Sequence, residues 1–158
     1  MKKILWLEDD IDVVAAVINA FRDKCDFTVV DNFFELSGRL FENPGVEEYD
    51  MVILDLTIET PGIPLATYMR KIPQMFQDKN GDSCDATVVS GIALLGLDYY
   101  ERIVCTDKRF QDCKNCKFVL MTGHGLLLER YGIIDRLDVK VVKKRGKGSF
   151  EELSEVLG

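Results

Sequence analysis

Five polar side chains follow short, largely aliphatic runs in this sequence: Glu8, Asp9, Asp55, Thr122 and Lys143. Three of them are carboxylates, and clustered carboxylates raise each other's pKa unless a cation lies between them. A hard divalent ion such as Mg²⁺ takes oxygen ligands and keeps several waters, which leaves room for a phosphoryl group. Brought together, the five side chains would suit metal-assisted phosphoryl transfer, in which positioning and charge stabilisation matter most.

The apolar pattern predicts the elements that would position these side chains. Buried strands are predicted at residues 3–7, 27–30, 51–56, 118–122 and 139–142, and the Asp55 strand has the uncharged run of a strand buried on both faces. Helical spacing predicts helices from Asp10 or Asp12 to Phe21, from Asn32 to Phe41, from Gly91 to about Val104, from Leu126 to Leu137 and from Ser149 to Val156. Strands that alternate with helices predict an α/β fold, with a parallel sheet covered on both faces and ligands at the carboxyl edge.

This order of residue types at successive strand ends resembles the CheY-like receiver domain of two-component response regulators. The resemblance covers residues 2–56 and 91–157 and implies a flavodoxin-like, doubly wound five-stranded sheet of order 2-1-3-4-5. It implies that Asp55 accepts a phosphoryl group as an acyl phosphate. It also implies that the Thr122 hydroxyl and the Lys143 ammonium bind the phosphoryl oxygens. The Mg²⁺ ligands would be Glu8, Asp9, Asp55 and the backbone carbonyl of Thr57.

The sequence departs from the receiver pattern on two stretches. Residues from about 57 to 90 form an insertion beside Asp55, rich in Pro, Gly, Asn and Asp, and Gly91 takes the place of the glycine that opens the third helix. Lys140 stands where the family usually has an aromatic residue, and Lys144 where it commonly has proline. These departures keep open a pseudo-receiver that acts as a phosphorylation-independent interaction module. A haloacid-dehalogenase-like phosphatase ranks last, because Thr57 occupies the place of its second Asp.

Length and charge limit the remaining function classes. The 158 residues fit one domain, 1–158, and the net charge of −7 with no long basic run argues against nucleic-acid binding. The absence of a long apolar run argues against a membrane span, so we expect a cytoplasmic protein. The resemblance implies a stand-alone receiver with a histidine kinase or phosphotransfer protein as donor and an unknown downstream protein as target. We expect no enzymatic activity beyond self-phosphorylation and self-dephosphorylation.

The five cysteines include one C-x-x-C motif, Cys113 to Cys116. With Cys105, and with Cys84 in the insertion, these residues raise the alternative of a structural zinc site. One C-x-x-C without a matching pair is a weak zinc signal, and the predicted third helix would separate Cys84 from Cys105. We therefore expect reduced, partly buried thiols.

Overall fold

A computed structural model describes residues 1–58, 95–123, 125, 129, 132–144 and 149–158 of the chain. The strands are β1 (Lys2–Leu7), β2 (Cys25–Val30), β3 (Met51–Asp55), β4 (Lys117–Thr122) and β5 (Lys140–Lys143). The α-helices within these residues are α1 (Ile11–Phe21), α2 (Phe33–Phe41), α3 (Leu95–Tyr99), α4 (Lys108–Asp112), α5 (Ile133–Arg136) and α6 (Ser149–Leu157). A 3₁₀ turn spans Gly45–Glu48 and a π-helix spans Tyr100–Val104.

The five strands form one parallel sheet in the order β2-β1-β3-β4-β5, which confirms the predicted flavodoxin-like topology. Strand β3 lies at the centre, and all five of its residues are buried. Its neighbours β1 and β4 bring their carboxyl ends to the same edge. Asp55 pairs in register with Met121 on β4, and Leu54 pairs with Leu7 on β1. The residues that follow Leu7 and Met121 therefore meet Asp55 at this edge.

Two apolar clusters cover the two faces of the sheet. Alternate residues of β3 contribute to each: Val52 and Leu54 to one cluster, Met51 and Ile53 to the other. This division follows from the two-residue period of a strand, which sends successive side chains to opposite faces. With apolar packing on both sides, β3 is a fixed support for the acid at its end.

Side-chain caps start the first two helices where the sequence predicts them. Asp10 caps α1 by accepting hydrogen bonds from the backbone N–H groups of Asp12 and Val13, at 3.1 and 3.3 Å. Asn32 caps α2 by accepting a hydrogen bond from the backbone N–H of Glu35 at 2.9 Å. These side chains satisfy N–H groups that have no partner within the helix. The cap of α1 keeps Glu8 and Asp9 outside the helix, in the loop above β1.

The third helix differs from its prediction. Helix α3 covers Leu95–Tyr99 and continues as the π-helix, and α4 follows as a separate helix that the apolar pattern did not predict. Gly91 and most of the predicted insertion lie outside the described residues. Among the residues that the structure describes, no helix has the length and apolar character needed to cross a membrane. The single-domain organisation stays a prediction.

Candidate functional site

Three carboxylates converge at the carboxyl edge of the sheet. One carboxylate oxygen each from Glu8, Asp9 and Asp55 lies within 4.8 Å of the others. Glu8 and Asp55 are each 1% exposed, whereas Asp9 is partly exposed. Two hydrogen bonds hold Glu8 in place. Its backbone N–H donates to the Val30 carbonyl at 2.9 Å, and its Oε1 accepts from the backbone N–H of Asp10 at 3.1 Å. The sequence-based prediction of an acidic cluster from β1 and β3 thus matches the geometry.

The Asp55 carboxylate is held through both oxygens. Its Oδ1 accepts hydrogen bonds from the backbone N–H of Thr57 at 3.0 Å and from the Thr57 hydroxyl at 3.3 Å. Its Oδ2 accepts one from Lys144 Nζ at 2.6 Å. Burial raises the pKa of Asp55 above its usual value, although Lys144 acts in the opposite direction. A carboxylate buried at a strand end with the Lys144 ammonium beside it is suited to act as a nucleophile.

Lys144 bridges the two buried acids. Its Nζ lies 2.8 and 2.6 Å from the two carboxylate oxygens of Glu8, in addition to its contact with Asp55. Burial alone would lower the pKa of Lys144, but the two carboxylates outweigh it and hold that pKa above its ordinary value. Burial, followed by the charge of Asp55, raises the pKa of Glu8 to about 7 despite the ammonium. The Lys144 ammonium therefore offsets only part of the effect of burial and negative charge on Glu8.

The structure places Lys144 where the sequence pattern assigned Lys143. Lys143 ends β5 in register with Thr122, and its Nζ pairs with Glu129 instead of Asp55. Its aliphatic stem lies over Gly125, where an added Cβ would stand 2.8 Å from Lys143 Cγ. The next residue leaves the strand: the N–H of Lys144 donates to the Thr122 carbonyl at 2.8 Å, and its side chain reaches the acids. In the structure Lys144, and not the predicted Lys143, contacts Asp55.

Thr122 is fully buried at the last position of β4. It stands one residue beyond Met121, the register partner of Asp55. Its backbone carbonyl accepts a hydrogen bond from the Lys144 N–H. The last residue of β4 therefore also fixes the backbone of Lys144, the lysine that contacts Asp55. The structure therefore brings Thr122 to the predicted edge.

Sequence reasoning missed Gly96 in α3. The N–H of Gly96 donates to the Leu56 carbonyl at 3.0 Å, and a Cβ added at Gly96 would lie 1.8 Å from the Asp55 carbonyl oxygen. No side chain larger than hydrogen fits between α3 and the end of β3. The glycine in the run Leu94-Leu95-Gly96-Leu97 was the available signal, since a glycine inside an apolar helix often marks close backbone approach.

The residues at this edge fit a hard divalent cation. Their donors are carboxylate oxygens, which Mg²⁺ prefers, and burial raises the pKa values of Glu8 and Asp55, with the Asp55 charge as a further cause for Glu8. Zinc at the cysteines is not supported, because among the described residues Cys105, Cys113 and Cys116 do not converge as a three-ligand group. The cation-binding chemistry of the described chain is thus at the sheet edge.

Comparisons with known proteins bear on the fold. No protein-family model matches the sequence, and no match is found among curated proteins. The receiver domain of a sensor histidine kinase from Pseudomonas aeruginosa, whose crystal structure has a magnesium ion in the active-site cleft, is 15% identical with a TM-score of 0.51. The similarity covers 99% of this chain and 93% of that one.

A second similar structure is the signal receiver domain of a putative LuxO repressor protein from Vibrio parahaemolyticus. It is 13% identical with a TM-score of 0.51, over 99% of this chain and 88% of that one. Both structures match nearly the full length of the chain, and its strand order is that of the predicted family. The chain has the fold of a response-regulator receiver domain.

Proposed function

We propose that this protein is a receiver that accepts a phosphoryl group on Asp55 from a histidine kinase or phosphotransfer protein and signals by contact with another protein. The convergence of two further carboxylates, Glu8 and Asp9, and of the Lys144 ammonium on the buried Asp55 supports this function most directly. The proposal includes a cytoplasmic location. It includes no enzymatic activity other than self-phosphorylation and self-dephosphorylation.

In the proposed reaction, a carboxylate oxygen of Asp55 attacks the phosphorus of a phosphohistidine. The P–N bond breaks, the imidazole leaves with the electron pair and takes a proton from water, and an acyl phosphate remains on Asp55. The N–H of Thr57 keeps the carboxylate oriented during the attack, as it does in the free protein. The Lys144 ammonium and the Thr122 hydroxyl donate hydrogen bonds to the oxygens of the transferred phosphoryl group.

Mg²⁺, when bound, would neutralise negative charge on the transferred phosphoryl group. We propose that it is held by Glu8, Asp9 and Asp55, with the backbone carbonyl of Thr57 as a further ligand. Three ionised carboxylates and one ammonium carry a net charge of −2, which a divalent cation balances. The protein's own part is to hold these charges together, away from water.

Transfer from a small acyl-phosphate donor tests the function without knowledge of the kinase. We expect intact-mass measurement to find one added phosphoryl group after incubation with the donor and Mg²⁺, and none on Asp55→Asn. Asp23→Asn is the matched control, because Asp23 is an exposed aspartate in the turn after α1. An adduct that survives in Asp55→Asn would contradict the assignment of the acceptor.

The pseudo-receiver is the second candidate function. It is favoured by the occupation of both Asp55 oxygens, Oδ1 by Thr57 and Oδ2 by Lys144, which an incoming phosphoryl group must displace in part. The same experiment separates the two candidates. A folded wild-type protein that never acquires the adduct would support the pseudo-receiver and reject phosphoryl acceptance.

A further inference from the structure

We propose that Cys113 and Cys116 form a reversible dithiol–disulfide site at the end of the sheet opposite to Asp55. Both are free cysteines, and only Lys114 and Asn115 separate them, in the bend between α4 and β4. The proposed receiver function does not use them. The inference is therefore independent of whether Asp55 accepts a phosphoryl group.

The ends of the bend are fixed by packing. Phe110 of α4 is buried and packs edge-on against Phe41 and Phe118, with ring centroids 5.3 and 5.6 Å apart. Lys117 starts β4, and its N–H donates to the Asp50 carbonyl at 3.0 Å. Helix α4 and the start of β4 are therefore both held in place, which limits how far the two cysteines can move apart.

Both thiols face the same apolar cluster. Cys116 is a buried member of the cluster that contains Leu120 and Phe110, and Cys113 packs against this cluster from its edge. Burial, and secondarily the charge of a Cys113 thiolate, raises the pKa of Cys116. Because both thiols contact one cluster and only a two-residue bend separates them, the pair is a candidate for the short Cα–Cα separation that a disulfide requires.

The two cysteines differ in accessibility, and this sets their roles. Cys113 is partly exposed and lines an open cavity of about 360 Å³ beside Arg109 and the loop after α2, whereas Cys116 is 8% exposed. A small disulfide can reach Cys113 but not Cys116. Cys113 is therefore the attacking thiol and Cys116 the resolving thiol.

The oxidation is a balanced two-electron exchange with a low-molecular-weight disulfide. The Cys113 thiolate attacks one sulfur of the small disulfide, whose S–S bond breaks to release one small thiolate. Cys116, after losing its proton, attacks Cys113 Sγ, forms the intramolecular bond and releases the second small thiolate. The two small thiolates take up the two protons, so the protein is oxidised and the small disulfide is reduced to two thiols.

The environment of Cys116 does not stabilise its thiolate. Burial, and secondarily Cys113, raises the pKa of Cys116 to about 12. A dithiol is a strong oxidant when its reduced form is stabilised as a thiolate, and Cys116 lacks that stabilisation. Once formed, the bond should resist mild reductants but yield to an excess of a strong dithiol.

Equilibration of the full-length native protein with mixtures of oxidised and reduced glutathione tests the site. We expect two fewer alkylated cysteines than the five of the reduced chain, a peptide in which Cys113 and Cys116 are joined, and full reversal by dithiothreitol. Cys105→Ser removes an exposed thiol and should leave this result unchanged. Cys113→Ser, a conservative change at a partly exposed position, should abolish the pair.

Three outcomes would overturn the proposal. They are an unchanged thiol count in the folded protein, a mixed disulfide that persists on Cys113 without closure, and a mapped bond that joins either cysteine to a different partner such as Cys84. The thiol count is read on protein never exposed to a phosphoryl donor. Failure here is thus distinguishable from failure of the receiver function.

Discussion

At the scale of single residues, the main feature is the position of Lys144 between two buried acids. Its Nζ is 2.6 Å from Asp55 Oδ2 and 2.6 Å from Glu8 Oε2, and its side chain is only 11% exposed. An ammonium shielded from water in this way interacts strongly with neighbouring charge. In the proposed reaction, the same ammonium would be within reach of the phosphoryl oxygens added to Asp55.

Replacing each lysine in turn tests which one serves the site. We expect Lys144→Met to reduce the rate of acyl-phosphate formation on Asp55 by about a hundredfold, the scale of losing one electrostatic contact to a developing charge. Lys143→Met should retain the rate to within about twofold, because Lys143 forms a partly exposed pair with Glu129. Intact mass against time gives both rates. The opposite pattern would return the role to Lys143.

The pKa of Glu8 predicts an unusual dependence of stability on pH. Its value in the folded protein, about 7, is above the ordinary 4.5, so the folded state binds more protons than the unfolded state between these values. The unfolding free energy, measured with urea without divalent ions, should therefore fall as the pH rises from about 5 to about 8. We expect a contribution of about 1–3 kcal/mol from Glu8.

Glutamine variants isolate this contribution. Glu8→Gln should show a smaller fall than the wild type, because the buried carboxyl can no longer ionise. Glu47→Gln, at an exposed glutamate, should keep the full fall. Equal pH dependence in the wild type and Glu8→Gln would show that Glu8 does not ionise in this range.

The sequence predicted the acids of the site better than its cation. Glu8 and Asp9 come directly after the apolar run Ile4–Leu7, and Asp55 comes directly after the apolar run Met51–Leu54, so each strand end is unambiguous and the acids fall at the sheet edge. The run Lys140-Val141-Val142-Lys143-Lys144 ends in two lysines, and the pattern alone does not say which one leaves the strand. The decisive contact, from the Lys144 N–H to the Thr122 carbonyl, is tertiary and has no local signature.

At the scale of elements, the end of β3 is clamped by its neighbours. The N–H of Leu56 donates to the Met121 carbonyl at 2.9 Å, and the Leu56 carbonyl accepts from Gly96 at 3.0 Å. The first residue after Asp55 is thus bonded to β4 on one side and to α3 on the other. This clamp fixes the backbone that carries the proposed nucleophile.

Gly96→Ala tests the clamp. Because the new Cβ would lie 1.8 Å from the Asp55 carbonyl oxygen, α3 must shift away, and we expect the unfolding free energy to fall by about 1–3 kcal/mol. Gly38→Ala is the matched control, since the nearest atom to its added Cβ is 3.9 Å away on a flexible Glu42 side chain. That change should raise the unfolding free energy by about 0.5–1 kcal/mol. Urea titration of both variants measures the two effects, and equal effects would contradict the close approach at Gly96.

The strands could be predicted from the sequence more fully than the helices after β3. Each strand contains a short apolar run, and the alternation of strands with helices predicts the parallel sheet. The predicted helix from Gly91 to Val104 has apolar residues throughout, so its spacing marks neither the change to a π-helix at Tyr100 nor the separate α4. Gly96, not Gly91, makes the close contact, because that contact depends on where α3 lies against β3.

At the scale of the whole molecule, the candidate site exists only when the sheet is complete. Glu8 and Asp9 follow β1, Asp55 ends β3 and Lys144 follows β5, so residues far apart in sequence meet only in the folded state. Folding therefore concentrates three carboxylates around one ammonium, at an electrostatic cost visible in the raised pKa of Glu8 and Asp55. A ligand that binds this arrangement and not the unfolded chain stabilises the entire fold.

Divalent-ion binding should accordingly raise the thermal midpoint of the whole protein. At a Mg²⁺ concentration ten times the dissociation constant, the gain is about 1.4 kcal/mol, which corresponds to a rise of about 3–6 °C for a domain of this size. Differential scanning calorimetry of the wild type, with NaCl at matched ionic strength as the control, measures the rise. We expect Asp55→Asn to lose most of it, because that variant removes a charged ligand from the cluster. A rise of the same size in Asp55→Asn would show that Mg²⁺ binds elsewhere on this acidic protein, and would remove the metal site from the carboxyl edge of the sheet.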